Sequence, residues 1–152
     1  MKKEKQTPVI QIQHLWAGYE NEIILEDINL DVYPTDFIGL IGPNGGGKTT
    51  LLKVIVGLID PMQGTIRVMG ETPQQGRCHI GYVPQQIAFD HDFPISVWDV
   101  VKMGLLGCRG IFHKTNKEDE QIILESMHKV NIEDLRFRPI GDLSVGQRQR
   151  VY

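Results

Sequence analysis

The chain has 152 residues, 41% of them hydrophobic and 23% charged, with a formal net charge of −3. That size and balance suit one ordinary globular domain with a buried core, and they exclude a strongly basic nucleic-acid-coating protein, so no nucleic-acid partner is expected. No apolar run reaches the roughly 20 residues that span a bilayer, and the lysine-rich start MKKEKQTPVI is followed by no apolar segment of signal-peptide type.

In chain order, residues 8–20 (PVIQIQHLWAGYE) alternate apolar and polar positions, as a half-buried strand does. Residues 23–34 alternate again through Ile28, Leu30 and Val32. DFIGLIG, 36–42, is nearly continuous in apolar residues and predicts a strand buried on both faces. Residues 49–57 carry helical apolar spacing and end on a glycine. The turn DPMQG leads to a short strand at 65–69, and another is expected at 79–83. Beyond Pro84 the character becomes helical. Residues 95–106 form a helix with Ser96 and Asp99 in a capping-box relation. Residues 116–130 form another, with Asn116 as cap, acids in the first turn, and Ile122, Ile123, Met127 and Val130 as the apolar face. The charges at 117–120 read as a solvated helix start.

The stretch LIGPNGGGKTTLL sets Gly42, Gly47, Lys48 and Thr49 in the pattern G-x-x-x-x-G-K-[ST]. Glycines let backbone N–H groups turn inward around phosphate oxygens. The helix that follows aims its positive end at the same anion. A lysine reaches the β- and γ-phosphates, and a threonine hydroxyl ligates Mg²⁺. A strand before and a helix after are the context the pattern requires, whereas the glycines alone would equally suit a hairpin turn. The chain is read as a binder of a purine nucleoside triphosphate. Neither cysteine (Cys78, Cys108) nor any scattered histidine (His14, His79, His113, His128) has metal-ligand spacing. Asp90, His91 and Asp92 are consecutive and read as a polar loop.

Four stretches, in the right order, resemble the ATP-binding subunit of ABC transporters: WAGYE at 16–20, GPNGGGKTT at 42–50, IGYVPQQ at 80–86 and LSVGQRQRV at 143–151. The resemblance implies ATP and Mg²⁺ as cofactors. It implies that Tyr19 stacks on the adenine, and that Gly42, Pro43, Asn44, Gly45, Gly46, Gly47, Lys48, Thr49 and Thr50 enclose the phosphates. Thr49 and Gln85 would serve Mg²⁺, with Gln85 also beside the attacking water as the catalytic-site residue. Ser144, Gly146 and Gln147 would meet the γ-phosphate held by a second subunit, so that ATP is sandwiched in a dimer. Taken without the resemblance, Tyr19 reads as an ordinary strand aromatic and Gln85 as a turn residue. The signature has a rationale of its own, since Ser144 can cap a helix and Gln147 complete a capping box. It departs from the family's L-S-G-G-Q at Val145. That change is costly if the position needs a positive φ and mild if it is helical.

The expected fold is α/β: a P-loop NTPase core of ABC ATPase type with an antiparallel β part and a helical subdomain, incomplete at the C-terminus. Residues 1–152 form one nucleotide-binding domain, with an ATP-binding β-rich core at 1–88 and a helical signature subdomain at 89–152. The phrase FPISVWDVVKMG, 93–104, resembles the ATPases of zinc and manganese importers, with iron-chelate and cobalamin importers as neighbours. The implied partners are a second ATPase subunit and a transmembrane permease, and the implied location is the cytoplasmic face of the cell membrane. The family's Walker B Asp, catalytic Glu and switch His lie after the signature, so the chain is expected to be a C-terminally truncated subunit. It is then expected to hydrolyse ATP only at background rate. A catalytically dead nucleotide-binding remnant is the alternative. A soluble ABC ATPase without a permease is a further one, and a P-loop kinase or GTPase does not explain LSVGQ.

Overall fold

The computed structural model describes residues 7–20, 22–84, 94–110 and 113–152. They fall in two compact units, Met1–Tyr82 and Val83–Tyr152. The expected boundary at 88/89 lies outside the described residues.

In the first unit the two alternating stretches become strands β1 (Ile10–Tyr19) and β2 (Glu22–Val32). A third, β3 (Gln63–Val68), pairs on the other side of β1. The sheet is antiparallel in the order β2-β1-β3. The buried positions of β1 are Ile12, Leu15, Ala17 and Gly18, so the period of two slips between Ile12 and Leu15 and again at the strand's end. A bulge absorbs the first slip: His14 has φ 49° and the register shifts there against both neighbours. The His14 backbone N–H donates to Asn29 Oδ1 at 2.9 Å, and the imidazole Nδ1 lies 2.7 Å from Asp27 Oδ1.

Helix α1 (Lys48–Ile55) lays Leu51, Val54 and Ile55 against Ile12, Leu15, Leu25 and Ile66 to close the first core. Its end is a Schellman turn. Gly57, at φ 73°, donates to Val54 C=O at 3.0 Å, and Leu58 N–H donates to Lys53 C=O at 2.8 Å. A short helix, α2 (Pro73–Gly76), follows β3.

Two expected strands are absent. Residues 36–42 make no sheet ladder, and Phe37 and Ile41 are 99% and 98% exposed. A doubly buried strand needs a paired strand on each side, and no described strand takes that place. Residues 79–83 likewise form no ladder: Arg77–His79 is a 3₁₀ turn, and Ile80 packs on the first core from irregular chain.

The second unit is helical, with α3 (Val97–Met103), α4 (Leu106–Arg109), α5 (Lys117–Lys129) and α6 (Val145–Val151). Its core joins Val97, Ile123, Met127, Ile132, Ile140 and Val151. Ser96 caps α3 by accepting from Asp99 N–H at 3.1 Å. The next free amides of that helix, on Val97 and Trp98, donate to the carbonyls of Arg138 and Arg136 at 3.0 and 2.9 Å. The apolar face of α5 is corrected in part. Ile123 and Met127 are buried, but Val130 is exposed, and one turn N-terminal the stripe continues in the fully buried Asp119.

Candidate nucleotide site

The loop 42–47 is held by its own backbone. Gly46 N–H donates to Pro43 C=O at 3.1 Å, and the Lys48 ammonium folds back to the carbonyls of Gly42 and Pro43 at 2.8 and 2.6 Å. Gly45 and Gly47 have φ 81° and 78°, conformations that favour glycine. A Cβ on Gly47 would also come within 2.7 Å of Leu25 Cδ2, the movable end of that side chain, so the positive φ is what favours glycine here. A Cβ on Gly42 or Gly45 would meet nothing within 4 Å, which leaves the outer side of the loop open.

Helix α1 starts from Gly47 with no side-chain cap and no acid in its first turn. Among the described residues its leading amides and partial positive charge thus have no side-chain partner, the condition for holding an anion. Lys48, drawn to two carbonyls rather than to a carboxylate, is available to exchange those acceptors for phosphate oxygens. Thr49 is exposed beside it, and Thr50 is 5% exposed. A triphosphate therefore fits this donor set, and an oxygen-ligated divalent cation fits the hydroxyl of Thr49.

Tyr19 ends β1 and is 42% exposed. It is connected to the loop through α1: the Lys53 ammonium lies 3.1 Å from its hydroxyl. Lys53 holds the Tyr19 phenol below its usual pKa, against the opposing effect of burial. The sequence reading omitted Lys53. Its signal was spacing, since residues 50 and 53 share one face of a helix. Gln85, by contrast, lies outside the described residues.

In the other unit, Ser144 and Gln147 form the expected capping box. Gln147 N–H donates to Ser144 Oγ at 3.3 Å, and Ser144 N–H donates to Gln147 Oε1 at 2.9 Å. Val145 is the first helical residue, 65% exposed and with no positive φ, so the departure from glycine carries no backbone strain. Gly146 has open space around its missing Cβ.

Also missed was the role of Asp119, read as part of a solvated helix start. Its carboxylate is fully buried. It accepts from the Asn116 N–H at 2.9 Å and lies 2.7 Å from both His113 Nε2 and Arg109 Nη1. The Asn116 amide, then His113 and Arg109, hold it below the usual carboxylate range against the opposing effect of burial. The sequence signal was again a spacing, Asn116-x-x-Asp119, which both caps the helix and returns the acid to the chain before it.

The family model described as ABC transporter matches residues 25–152. The manganese transport system ATP-binding protein MntB of Halalkalibacterium halodurans is 41% identical over 145 residues, 95% of this chain and 58% of the relative. The high-affinity zinc uptake system ATP-binding protein ZnuC of Bacillus subtilis is 36% identical over 144 residues, 94% of this chain and 62% of that protein. The chain thus spans about three-fifths of the curated relatives it matches. Among solved structures, an inward-facing putative metal-chelate type ABC transporter superposes with a TM-score of 0.73 at 29% identity, over 95% of this chain and 54% of that one. With a phosphate-type loop and a capped signature helix both formed, and with relatives at this level over nearly its whole length, the chain belongs to the ABC transporter family and resembles its ATP-binding subunits.

Proposed function

We propose that the chain is the nucleotide-binding part of a subunit that powers an ABC importer of divalent metal ions, of which manganese and zinc are the foremost. The observation that carries the reading is the loop at 42–48 before an α1 with no side-chain cap: Lys48 is held by two loop carbonyls, and among the described residues no carboxylate pairs with it. The backbone of Gly42, Pro43, Asn44, Gly45, Gly46 and Gly47 would wrap the phosphates, with Lys48 and Thr50 supporting them. Thr49 and Gln85 would serve Mg²⁺, which neutralises phosphate charge when bound. Tyr19 would stack on the base.

The residues 1–88 supply this cradle and 89–152 the signature. Ser144, Gly146 and Gln147 would present the start of α6 to the nucleotide of a second subunit, so that ATP joins two copies. In the complete subunit, hydrolysis would drive the cycle at the cytoplasmic face of a membrane, through a permease that contacts the segment around α3. No described helix is long and apolar enough to cross a membrane. The metal is inferred from the manganese and zinc relatives.

Two measurements test the reading. Titration calorimetry of the chain with MgATP is expected to show binding that Lys48→Ala weakens at least about tenfold, the loss of one charge-assisted phosphate contact. Equal binding by the variant would sink the phosphate-cradle assignment. Uptake of radioactive manganese or zinc by cells expressing the complete subunit with its permease is expected to need Lys48. Uptake of an iron chelate or cobalamin in their place would move the cargo to those importers.

A further inference from the structure

Tyr19 is an exposed aromatic at the end of a strand, a position where a side chain ordinarily keeps its rotamer freedom. Here it does not. Lys53, on α1, donates a hydrogen bond to its hydroxyl, one helical turn after Thr50 on the same helix. The Lys53 nitrogen is 3.1 Å from that oxygen and 5.5 Å from the ring centroid. The difference is most of the ring's own centroid-to-oxygen length, so the ammonium sits beyond the hydroxyl and off the ring face. Lys53 therefore grips the ring by its end and covers neither face. Among the described residues no carboxylate pairs with Lys53, so nothing draws the ammonium away from the phenol. Lys53 belongs to the helix whose first residue is Lys48, so the ring is referenced to the phosphate loop rather than to the hairpin alone.

We propose that Lys53 is a positioning residue for the nucleotide base: by holding the Tyr19 hydroxyl it fixes the plane of the ring before binding, so that a purine meets a preformed stacking platform. The proposal rests on the nucleotide-binding reading above and deepens it. The gain is preorganisation. A ring already held loses little freedom when a base stacks on it, and that cost no longer subtracts from affinity. A lysine so placed acts on the base and not on the phosphates. This separates it from Lys48, whose ammonium is engaged at the loop.

The test uses the full chain and two ligands that share a charge pattern, MgATP and magnesium tripolyphosphate, which has no base. Lys53→Ala is expected to weaken MgATP about three- to tenfold, as loss of an ordering contact does, and to leave tripolyphosphate affinity unchanged. Lys53→Arg, which can still donate to the phenol, is expected to restore MgATP binding. Tyr19→Phe keeps the ring but removes the tethered oxygen, so it is expected to match Lys53→Ala, and the double variant to be no weaker than either single one. Equal loss for both ligands would overturn the proposal by making Lys53 a phosphate contact. Additive losses in the double variant would overturn it by separating Lys53 from Tyr19, and unchanged MgATP affinity would show that the tether does nothing. If the unaltered chain binds neither ligand and Lys48→Ala changes nothing, the nucleotide reading itself fails and the proposal with it.

Discussion

Asp119 shows how a single carboxylate can organise a segment. A fully buried acid is unstable unless its charge is matched. Here Asn116 supplies a backbone N–H, Arg109 brings positive charge, and the His113 imidazole adds a contact at 2.7 Å, both from the chain before α5. The carboxyl titrates below its ordinary value of about 3.9 in the folded chain. As pH falls, the unfolded chain therefore takes up this proton first. The stability it contributes is present above about pH 4 and is lost as pH drops through the lower, folded value. Asp27 and Glu133 are shifted the same way by His14 and by backbone and His128 contacts, and they add parallel slopes. Asp119→Asn is expected to lower stability near neutral pH and to flatten the acid limb relative to the unaltered chain. Urea unfolding of both proteins from about pH 7 to pH 3 reads this, and identical limbs would remove Asp119 from the account.

Helix ends were the most legible elements, because capping is local chemistry. Ser96, Asn116 and Ser144 each accept from the residue three places on, as their sequence contexts imply. For α6, with seven residues, the cap is a large share of what starts the helix. Ser144→Ala is expected to cost about 1 kcal/mol, seen as a lower denaturation midpoint and faster amide exchange at the start of α6. An unchanged midpoint with unchanged exchange would mean that packing of Val151 alone holds the helix. The bulge in β1 was not legible in this way. Its position depends on Asn29 and Asp27, which lie on a different strand and become neighbours of His14 only when β1 and β2 pair.

For the whole molecule, the outstanding feature is the apolar stretch 37–41. Phe37 and Ile41 stand almost wholly in solvent, and Ile38 and Leu40 are 44% and 38% exposed. Fully burying such side chains is worth about 1.5–3 kcal/mol each, so the chain presents a sticky segment next to the phosphate loop. The 152-residue chain is expected to bind a hydrophobic dye and to self-associate with rising concentration. The double substitution Phe37→Ser with Ile41→Ser is expected to reduce both effects, since contiguous exposed apolar surface drives association. Dye fluorescence and light scattering measure this, and unaltered signals would show that another surface is responsible.

The sequence by itself determined the local features: the two alternating strands, the glycine-rich loop with its Lys48, and the capped starts of α3, α5 and α6. Each follows from periodicity or hydrogen bonding within a few residues, which neighbours in sequence supply. Only the tertiary structure decided that 36–42 lies unpaired, that Asp119 is buried between Arg109 and His113, that Val145 is helical, and that Lys53 holds Tyr19. Those outcomes depend on which groups meet across long separations in the chain. A strand requires a partner strand, and a buried charge requires an opposite one brought to it by the fold.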